Sequence, residues 1–295
     1  MRCESGAARG AARLCSHDVL FDAAHAMSRP RHSPRDADDS APATPAFARQ
    51  QHNNRSLERG LHLLRAFSPG VNALSNSELA ERVGLPRSTV SRLTQTLVQE
   101  RFLDYVPEAG VYRLGPPLLS LGLAMQQSSE LFHIAQPLMG GVAEGRRINV
   151  GLAVRDGTDM VYLTSIRKSR SEMFRHVTSG SRIPMALTAL GRAHLSTLVG
   201  PELTAMLSEL QAKHPVQWPE RKREIQAAIA KCRAEGYCSA TWQTGIVSVA
   251  APLRGHAGYA FNVSVLIGGR SMAALVEELA QTLLQLMVRV NAALK

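Results

Sequence analysis

The sequence predicts an α+β fold made of two domains, the first of which is a winged helix-turn-helix. Residues 53–115 hold three short amphipathic segments followed by two strand-like segments, which is the order found in that motif. Residues 131–295 mix strand-like stretches with longer helical patterns, which is typical of a sheet with helices packed around it. The apolar segment between them, residues 116–130, is predicted to be a linker helix.

Residues 1–52 are predicted to be a disordered tail. They are rich in Ala, Arg, Asp and Pro and carry few large apolar side chains, so burial cannot offset the entropy lost on ordering. The sequence leaves open whether translation begins at Met1 or at Met27. It shows neither a signal-peptide pattern at its start nor an apolar run of the roughly 18 to 20 residues that cross a membrane. We therefore expect a cytoplasmic protein with no membrane partner.

Capping residues and apolar spacing place the elements of the first domain. The first helix is expected to have Ser56 as its N-cap, and the second to begin at Ser75 or Ser77 and to end at Gly84. The residues expected to face the core are Leu57, Leu61, Leu64 and Phe67 in the first helix, Leu79, Ala80 and Val83 in the second, and Val90, Leu93, Leu97 and Val98 in the third. The strands of the wing are expected at Leu103–Val106 and Val111–Leu114.

The polar side of the third helix is the candidate DNA-reading surface. Arginine offers a forked donor to guanine or phosphate, and short hydroxyl side chains let a helix approach the major groove closely. The expected DNA-binding residues are Arg87, Ser88, Thr89, Ser91, Arg92 and Gln95, with Thr94 and Gln99 as later candidates, Arg113 on the wing, and Arg55 and Arg59 as flanking contacts. For each residue taken alone, simple solvation of a polar surface is the alternative. The predicted partner is double-stranded DNA, bound by paired chains because one module reads only a half-site.

Net charge by itself does not identify the partner. The chain has a formal charge of +10 and a pI near 10.0. The excess is +1 over residues 1–52, +2 over 53–115 and +7 over the rest, so most of it lies outside the predicted DNA-binding domain. A sequence-independent nucleic-acid-binding protein is therefore an alternative, and the order of helices and strands is the observation that favours sequence reading.

The second domain is predicted to begin with a helix near Leu131, which Pro137 kinks or separates from the linker. Strands are expected in the stretches INVGLAV, MVYLTSI, SEMFRHV, IVSVAAPL and YAFNVSVLI. Helices are expected at Thr188–Val199, Glu202–Lys213, Pro219–Glu235 and Met272–Leu294. This combination is typical of an α+β domain of the size of a small-molecule sensor.

An enzyme is the other class of function considered. Cys232 and Cys238 lie six residues apart, but a catalytic cysteine needs a neighbouring base, and none is obvious in the sequence. The chain also lacks a G-x-S-x-G elbow, a Walker loop and an H-E-x-x-H zinc motif. We therefore expect no catalytic residue, no cofactor and no metal site, with a GAF-type cysteine enzyme as the alternative.

Several segments between Asn54 and Lys295 occur in the same order as in a known protein family. They are SLERGLHLLRAF, LSNSELAERVGLPRSTVSRLTQTLVQERFL, YRLGPPLLSLG, RDGTDMVYL, GSRIPMALTALGRAHL, EGYC and GIVSVAAPL. Together they resemble the isocitrate lyase regulator (IclR) family of bacterial transcription factors. The resemblance implies a GAF-like, antiparallel-sheet effector domain over residues 131–295, assembly as homodimers or homotetramers, and control of a catabolic operon. Activation and repression both stay open.

The resemblance also implies a pocket for a small organic acid in the second domain. It places the backbone amides of Ala189 and Leu190 at a helix start, where N–H groups and the helix dipole favour a carboxylate. The side chains that it implies are Ser248, Asn262 and Ser264 as polar contacts, and Met185 and Leu187 as apolar walls. Ala186 stands where many members have histidine, and GYCSATWQTG lacks their acidic pair. These departures favour a different effector, such as an aromatic acid near Trp242.

Overall fold

The computed structural model describes residues 54–68, 70–168 and 177–295. The predicted tail, and all but the last residue of the predicted strand SEMFRHV, lie outside these ranges. Within them the chain has the predicted α+β architecture, in which a helical domain with a three-stranded sheet precedes a larger domain with a six-stranded sheet. No helix in these ranges is both long enough and apolar enough to cross a membrane.

The N-terminal domain combines three helices with three short strands. In chain order they are α1 (Arg55–Arg65), β1 (Leu74–Ser75), α2 (Asn76–Val83), α3 (Arg87–Gln99), β2 (Leu103–Val106) and β3 (Val111–Leu114). β3 lies between β1 and β2 and is antiparallel to both. The wing strands β2 and β3 agree with the prediction, whereas the sequence does not predict β1, because two residues are too few to show an alternation.

Cap residues fix the ends of α1 and α2. The side chain of Asn54 accepts hydrogen bonds from the backbone N–H groups of Ser56 and Leu57, both at 3.1 Å. The N-cap of α1 is therefore Asn54, and the prediction of Ser56 is wrong, because the helix begins two residues earlier. Ser75 caps α2 through a capping box, and Gly84 ends it in the left-handed conformation with φ of 67°, as expected.

Leu63 and Phe67 anchor α1 in the core of this domain. Leu63 is fully buried and Phe67 is 8% exposed, whereas Leu57 and Leu61 are 62% and 51% exposed, so the predicted inward positions of the latter two are wrong. Leucines occur at helical spacing on more than one side of α1, and packing against α2 and α3 selects the side that carries Leu63. The remaining buried apolar residues of this core are Leu74, Leu79, Ala80, Val90 and Leu103.

Two successive helices lead into the second domain, α4 (Pro117–Gln127) and α5 (Glu130–Arg146). They are separated at Ser128 and Ser129, and Ser129 caps α5 by accepting a hydrogen bond from the backbone N–H of Phe132 at 3.2 Å. Pro137 lies inside α5. The helix is therefore separated from the linker by the serine cap and not by the proline.

The C-terminal domain is built on one antiparallel sheet. Its strands are β4 (Asn149–Asp156), β5 (Asp159–Arg167), β6 (Arg182–Pro184), β7 (Cys238–Ala240), β8 (Ile246–Pro252) and β9 (Tyr259–Leu266). They are arranged in the order β6-β5-β4-β9-β8-β7. The four long strands agree with the prediction, whereas the three-residue edge strands β6 and β7 are too short to show a pattern in the sequence.

Helices cover both faces of this sheet. One face carries α6 (Ala189–Leu195), α7 (Gly200–Lys213) and α8 (Trp218–Glu235), and the other carries α5 and α9 (Met272–Ala293). Because side chains alternate along a strand, Asn262 and Ser264 of β9 point toward α6, whereas Phe261 packs against α5 and α9. This alternation places polar groups in an otherwise apolar layer beneath α6.

Candidate functional site

The N-terminal half of α3 presents polar side chains to solvent. The exposed residues are Arg87, Ser88, Ser91, Arg92 and Gln95, and Thr89 is half-buried. Positions three and four apart share one face of a helix, so Ser88, Ser91, Arg92 and Gln95 form a common surface. Val90 is fully buried on the other side and holds α3 against the core.

Thr94 does not belong to this surface. It is fully buried, and its Oγ1 lies 3.0 Å from the carbonyl oxygen of Val90 and 3.1 Å from that of Ser91. A hydroxyl on the inner side of a helix donates to the preceding turn of the same helix. The prediction of Thr94 as a later DNA contact is therefore wrong.

A hydrogen bond between α2 and α3 holds the exposed surface in place. Nδ2 of Asn76, the first residue of α2, donates to Oγ of Ser91 at 2.5 Å. Because a hydroxyl both accepts and donates, Ser91 keeps a proton that it can offer outward. Sequence reasoning missed Asn76, since asparagine is common at the start of a helix for local reasons alone.

The wing and α1 carry the remaining predicted contacts. Arg113 is exposed on β3, directly opposite Asp104 of β2 in the strand register. Arg55 and Arg59 are exposed on α1. All three arginines are thus accessible to a phosphate backbone.

A cavity of about 50 Å³ lies between α6 and the sheet of the C-terminal domain. Five of the residues implied by the family resemblance line it, namely Ala189, Leu190, Ser248, Asn262 and Ser264, and Trp242 lines it too. Ala189 and Leu190 are the first residues of α6, and the side chain of Thr188 caps this helix by accepting from the N–H of Gly191 at 3.3 Å. The structure therefore brings the predicted polar side chains together on one wall of a cavity.

Met185 and Leu187 do not line this cavity. Met185 is fully buried in the core, and Leu187 borders a neighbouring cavity. A Cβ on Gly191 would lie 2.1 Å from the carbonyl oxygen of Met185, so α6 packs directly on this segment. This close packing keeps Met185 off the cavity surface, where Ile183 of β6 supplies an apolar wall.

Arg167 and Tyr162 of β5 also line the cavity, and sequence reasoning missed both. Nε of Arg167 donates to the carbonyl oxygen of Val177 at 3.0 Å, and its guanidinium carbon lies 5.7 Å from the centroid of the Tyr162 ring. Burial lowers the pKa of Arg167, but an arginine stays protonated at any physiological pH. Burial also raises the pKa of Tyr162, which keeps its hydroxyl neutral. An arginine at the end of a strand gives no signal in a single sequence.

The sheet side of the cavity is a row of amide and hydroxyl groups. Ser248 and Ser264 are paired across β8 and β9, and Nδ2 of Asn262 donates to Oγ of Ser248 at 3.0 Å. Among the described residues that line the cavity, Arg167 supplies the charge. The lining therefore combines one cation with several hydrogen-bonding groups, a combination that suits a carboxylate ligand.

Family models match both domains of the chain. The model described as "IclR helix-turn-helix domain" matches residues 56–107, and that described as "Bacterial transcriptional regulator IclR C-terminal" matches residues 123–289. The chain belongs to the IclR family. The family predicted from the sequence is therefore confirmed. IclR-family proteins are transcriptional regulators and not enzymes.

Several IclR-family relatives match most of the chain. The HTH-type transcriptional regulator TsaQ1/TsaQ2 of Comamonas testosteroni is 32% identical over 183 residues, which are 62% of this chain and 66% of that protein. The Pca regulon regulatory protein of Pseudomonas putida is 27% identical over 236 residues, which are 78% of this chain and 80% of that protein. A crystal structure of an IclR family transcriptional regulator from Brucella abortus is 31% identical, with a TM-score of 0.73 over 81% of this chain and 92% of that one.

The two C-terminal cysteines of this IclR-family chain lie beside the cavity. Cys232 of α8 and Cys238 of β7 are buried, and Sγ of Cys238 donates to the carbonyl oxygen of Ala189 at 3.5 Å. Contact with Cys238 lowers the pKa of Cys232 to about 7. Contact with Cys232, together with burial, raises the pKa of Cys238. Their position in the core beneath α6 fits small apolar packing groups.

Proposed function

We propose that this IclR-family regulator binds an operator through α3 and the wing, and that a small organic acid in the C-terminal cavity controls this binding. The observation that carries the proposal is the position of Arg167, a half-buried cation that lines the cavity together with amide and hydroxyl groups. A charge-assisted hydrogen bond from a guanidinium is a strong anchor for a carboxylate in a site sheltered from water.

The N-terminal domain supplies the DNA contacts in this proposal. Arg87 and Arg92 reach base edges in the major groove from the exposed side of α3, while Ser88, Thr89, Ser91 and Gln95 make shorter contacts there. Arg113 on the wing and Arg55 on α1 contact phosphates, which carry affinity without sequence preference. The Asn76 to Ser91 bond supports the role of α3 as the reading helix, because it fixes α3 relative to α2.

The acid is bound beneath the start of α6. Ala189 and Leu190 offer backbone N–H groups that have no acceptor within the helix, and Ser248, Asn262 and Ser264 face them from the sheet. Trp242 is 41% exposed and borders both this cavity and its neighbour. Rotation of its ring would join the two spaces, which makes room for an aromatic acid.

Pairing of two chains places two α3 helices on one operator. Four apolar residues of α4 are exposed by between 46% and 69%, namely Leu119, Leu121, Leu123 and Met125. Covering this surface removes apolar area from water, which supports assembly as a homodimer or homotetramer. The operon that the regulator controls is proposed to encode the breakdown of the acid that it binds.

Operator binding is tested by selecting the full chain against random duplexes and then measuring affinity by fluorescence anisotropy at one salt concentration. A regulator binds the selected site about 10³-fold or more tightly than random DNA. Equal affinity for both would support a sequence-independent nucleic-acid-binding protein and contradict the proposal.

The acid is tested by thermal shift of the full chain with a panel of organic acids. We expect binding acids to raise the melting temperature of the wild type and of the control Arg223→Gln, which removes an exposed arginine of α8. They should not raise that of Arg167→Gln. An acid that binds but leaves operator affinity unchanged at saturation would contradict control by the ligand.

A further inference from the structure

The side chain of Asn262 lines the cavity. The residue is 4% exposed, and its Nδ2 donates to Oγ of Ser248 at 3.0 Å. Its Oδ1 is buried and has no hydrogen-bond partner among the described residues. A buried amide oxygen is normally satisfied, so a bound donor is the natural partner of this atom.

A glycine lies directly against this oxygen. Gly151 of β4 is paired with Asn262 in the sheet. A Cβ at this position would lie 2.5 Å from Oδ1 of Asn262 and 2.4 Å from Cε1 of Tyr162. The absence of a side chain at Gly151 therefore allows Asn262 and Tyr162 to lie side by side.

Tyr162 connects the acceptor with the cation. The guanidinium carbon of Arg167 lies 5.7 Å from the centroid of the Tyr162 ring, and this ring and Oδ1 of Asn262 both lie against Gly151. Arg167 and Asn262 therefore line the same cavity on either side of Tyr162. The cavity of about 50 Å³ holds only a few water molecules, which limits the ligand to a few heavy atoms unless Trp242 moves.

We propose that the effector is a hydroxy acid, whose carboxylate is bound by Arg167 and whose hydroxyl, on a carbon close to the carboxylate, donates a hydrogen bond to Oδ1 of Asn262. The inference rests on the proposed function, because it concerns the same cavity and names the class of acid. Asn262 is the residue that sets this specificity. An acid without the hydroxyl leaves Oδ1 unsatisfied, and a keto acid places a second acceptor against it.

The test is isothermal titration of the full chain with matched acids. The probes are lactate, propionate and pyruvate as one set, and 2-hydroxybenzoate and benzoate as another. We expect the hydroxylated member of at least one set to bind about tenfold or more tightly than its partner without the hydroxyl. Pyruvate is expected to bind more weakly than lactate.

Variants of Asn262 test whether this residue causes the preference for the hydroxylated acid. In Asn262→Leu the ratio of the affinities within a set should fall to about one, because the acceptor is removed. In Asn262→Asp all acids should bind more weakly, because a like charge is added, but the ratio should persist, because the acceptor is kept. Asn72→Leu, at an exposed position of the N-terminal domain, is the matched control. Melting temperatures without ligand establish that each variant is folded.

The outcomes separate this inference from the proposed function. If acids bind with less than a twofold effect of the hydroxyl, or if Asn262→Leu keeps the preference, the inference is overturned while an acid effector stands. If the preference is lost in Tyr162→Phe but kept in Asn262→Leu, selection belongs to Tyr162 and the inference is again overturned. Failure of every probe to bind, while another acid of the thermal-shift panel binds, would overturn the inference alone, and failure of the whole panel would contradict both.

Discussion

Nη2 of Arg65, on α1 of the DNA-binding domain, lies 3.1 Å from Oδ1 of Asp156 at the end of β4 in the effector domain. Oδ2 of Asp156 binds Arg182 of β6, and Arg182 also lies 3.1 Å from Asp159. The neighbouring residue on β6, Ile183, lines the cavity. The ion pairs therefore connect β6, which lines the cavity, with the first helix of the N-terminal domain.

Removal of the ion pair between Arg65 and Asp156 should affect the coupling between acid binding and operator affinity more than it affects the free energy of unfolding. The side chains of Arg65 and Asp156 are 62% and 31% exposed, so Arg65→Ala should lower the free energy of unfolding by less than about 1 kcal/mol. We expect the change in operator affinity on adding a binding acid to shrink in Arg65→Ala and in Asp156→Asn. A double-mutant cycle measured by anisotropy tests the pair, and strictly additive effects would show that the contact carries no coupling.

His194 of α6 makes the fold sensitive to mild acid. It is 3% exposed, and neither ring nitrogen has a hydrogen-bond partner among the described residues. Burial, aided by the charge of Arg155, lowers its pKa to about 4. In the unfolded chain the pKa of histidine is about 6.5, so between these values the unfolded state binds more protons and stability falls as pH falls.

The loss of stability attributable to His194 should reach about 3 kcal/mol between pH 7 and pH 4. Urea unfolding at several pH values measures it, and His194→Gln should show a shallower decline over this window. A variant whose pH profile matches that of the wild type would mean that the buried imidazole finds a partner in solution.

The two faces of α1 provide a direct test of the N-terminal core. Leu63→Ala should lower the free energy of unfolding by about 2 to 5 kcal/mol, because a fully buried leucine leaves a cavity. Leu57→Ala, at a position that is 62% exposed, should change it by less than about 0.5 kcal/mol. Chemical denaturation compares the two, and a larger effect at Leu57 would place that residue in a buried interface.

The same helix shows where sequence reasoning succeeds and where it stops. Helical spacing predicts α1, but leucines fit more than one face, and only contact with α2 and α3 distinguishes Leu63 from Leu57. In the cavity, Ser248, Asn262 and Ser264 followed from a family resemblance, whereas Arg167 did not. Its role depends on which strand lies opposite α6, and that is a property of the sheet order and not of any local pattern.

Replacement of Gly151 by alanine should lower both the stability of the protein and its affinity for an acid. Gly151→Ala inserts a Cβ within 2.5 Å of both Tyr162 and Asn262, and relief of this overlap should cost about 1 to 3 kcal/mol of stability. It should also weaken binding of any acid about tenfold or more, since both side chains must move. Gly141→Ala in α5, where no atom lies within 4 Å, is the control and should be neutral or slightly stabilising. Unchanged acid affinity in Gly151→Ala would place the ligand elsewhere.

Arg92 and Arg55 should respond differently to removal, because one is expected to read bases and the other to contact phosphate. Arg92→Ala should lose about 1 to 3 kcal/mol of discrimination at one base pair while binding to random DNA changes little. Arg55→Ala should weaken all sequences alike and reduce the slope of log affinity against log salt by about one. Anisotropy titrations on the selected operator and its single-base variants, at several salt concentrations, separate the two patterns. A uniform loss in Arg92→Ala would assign that residue to the phosphate backbone and leave sequence reading to Arg87 and to Gln95, the latter of which shares its exposed surface.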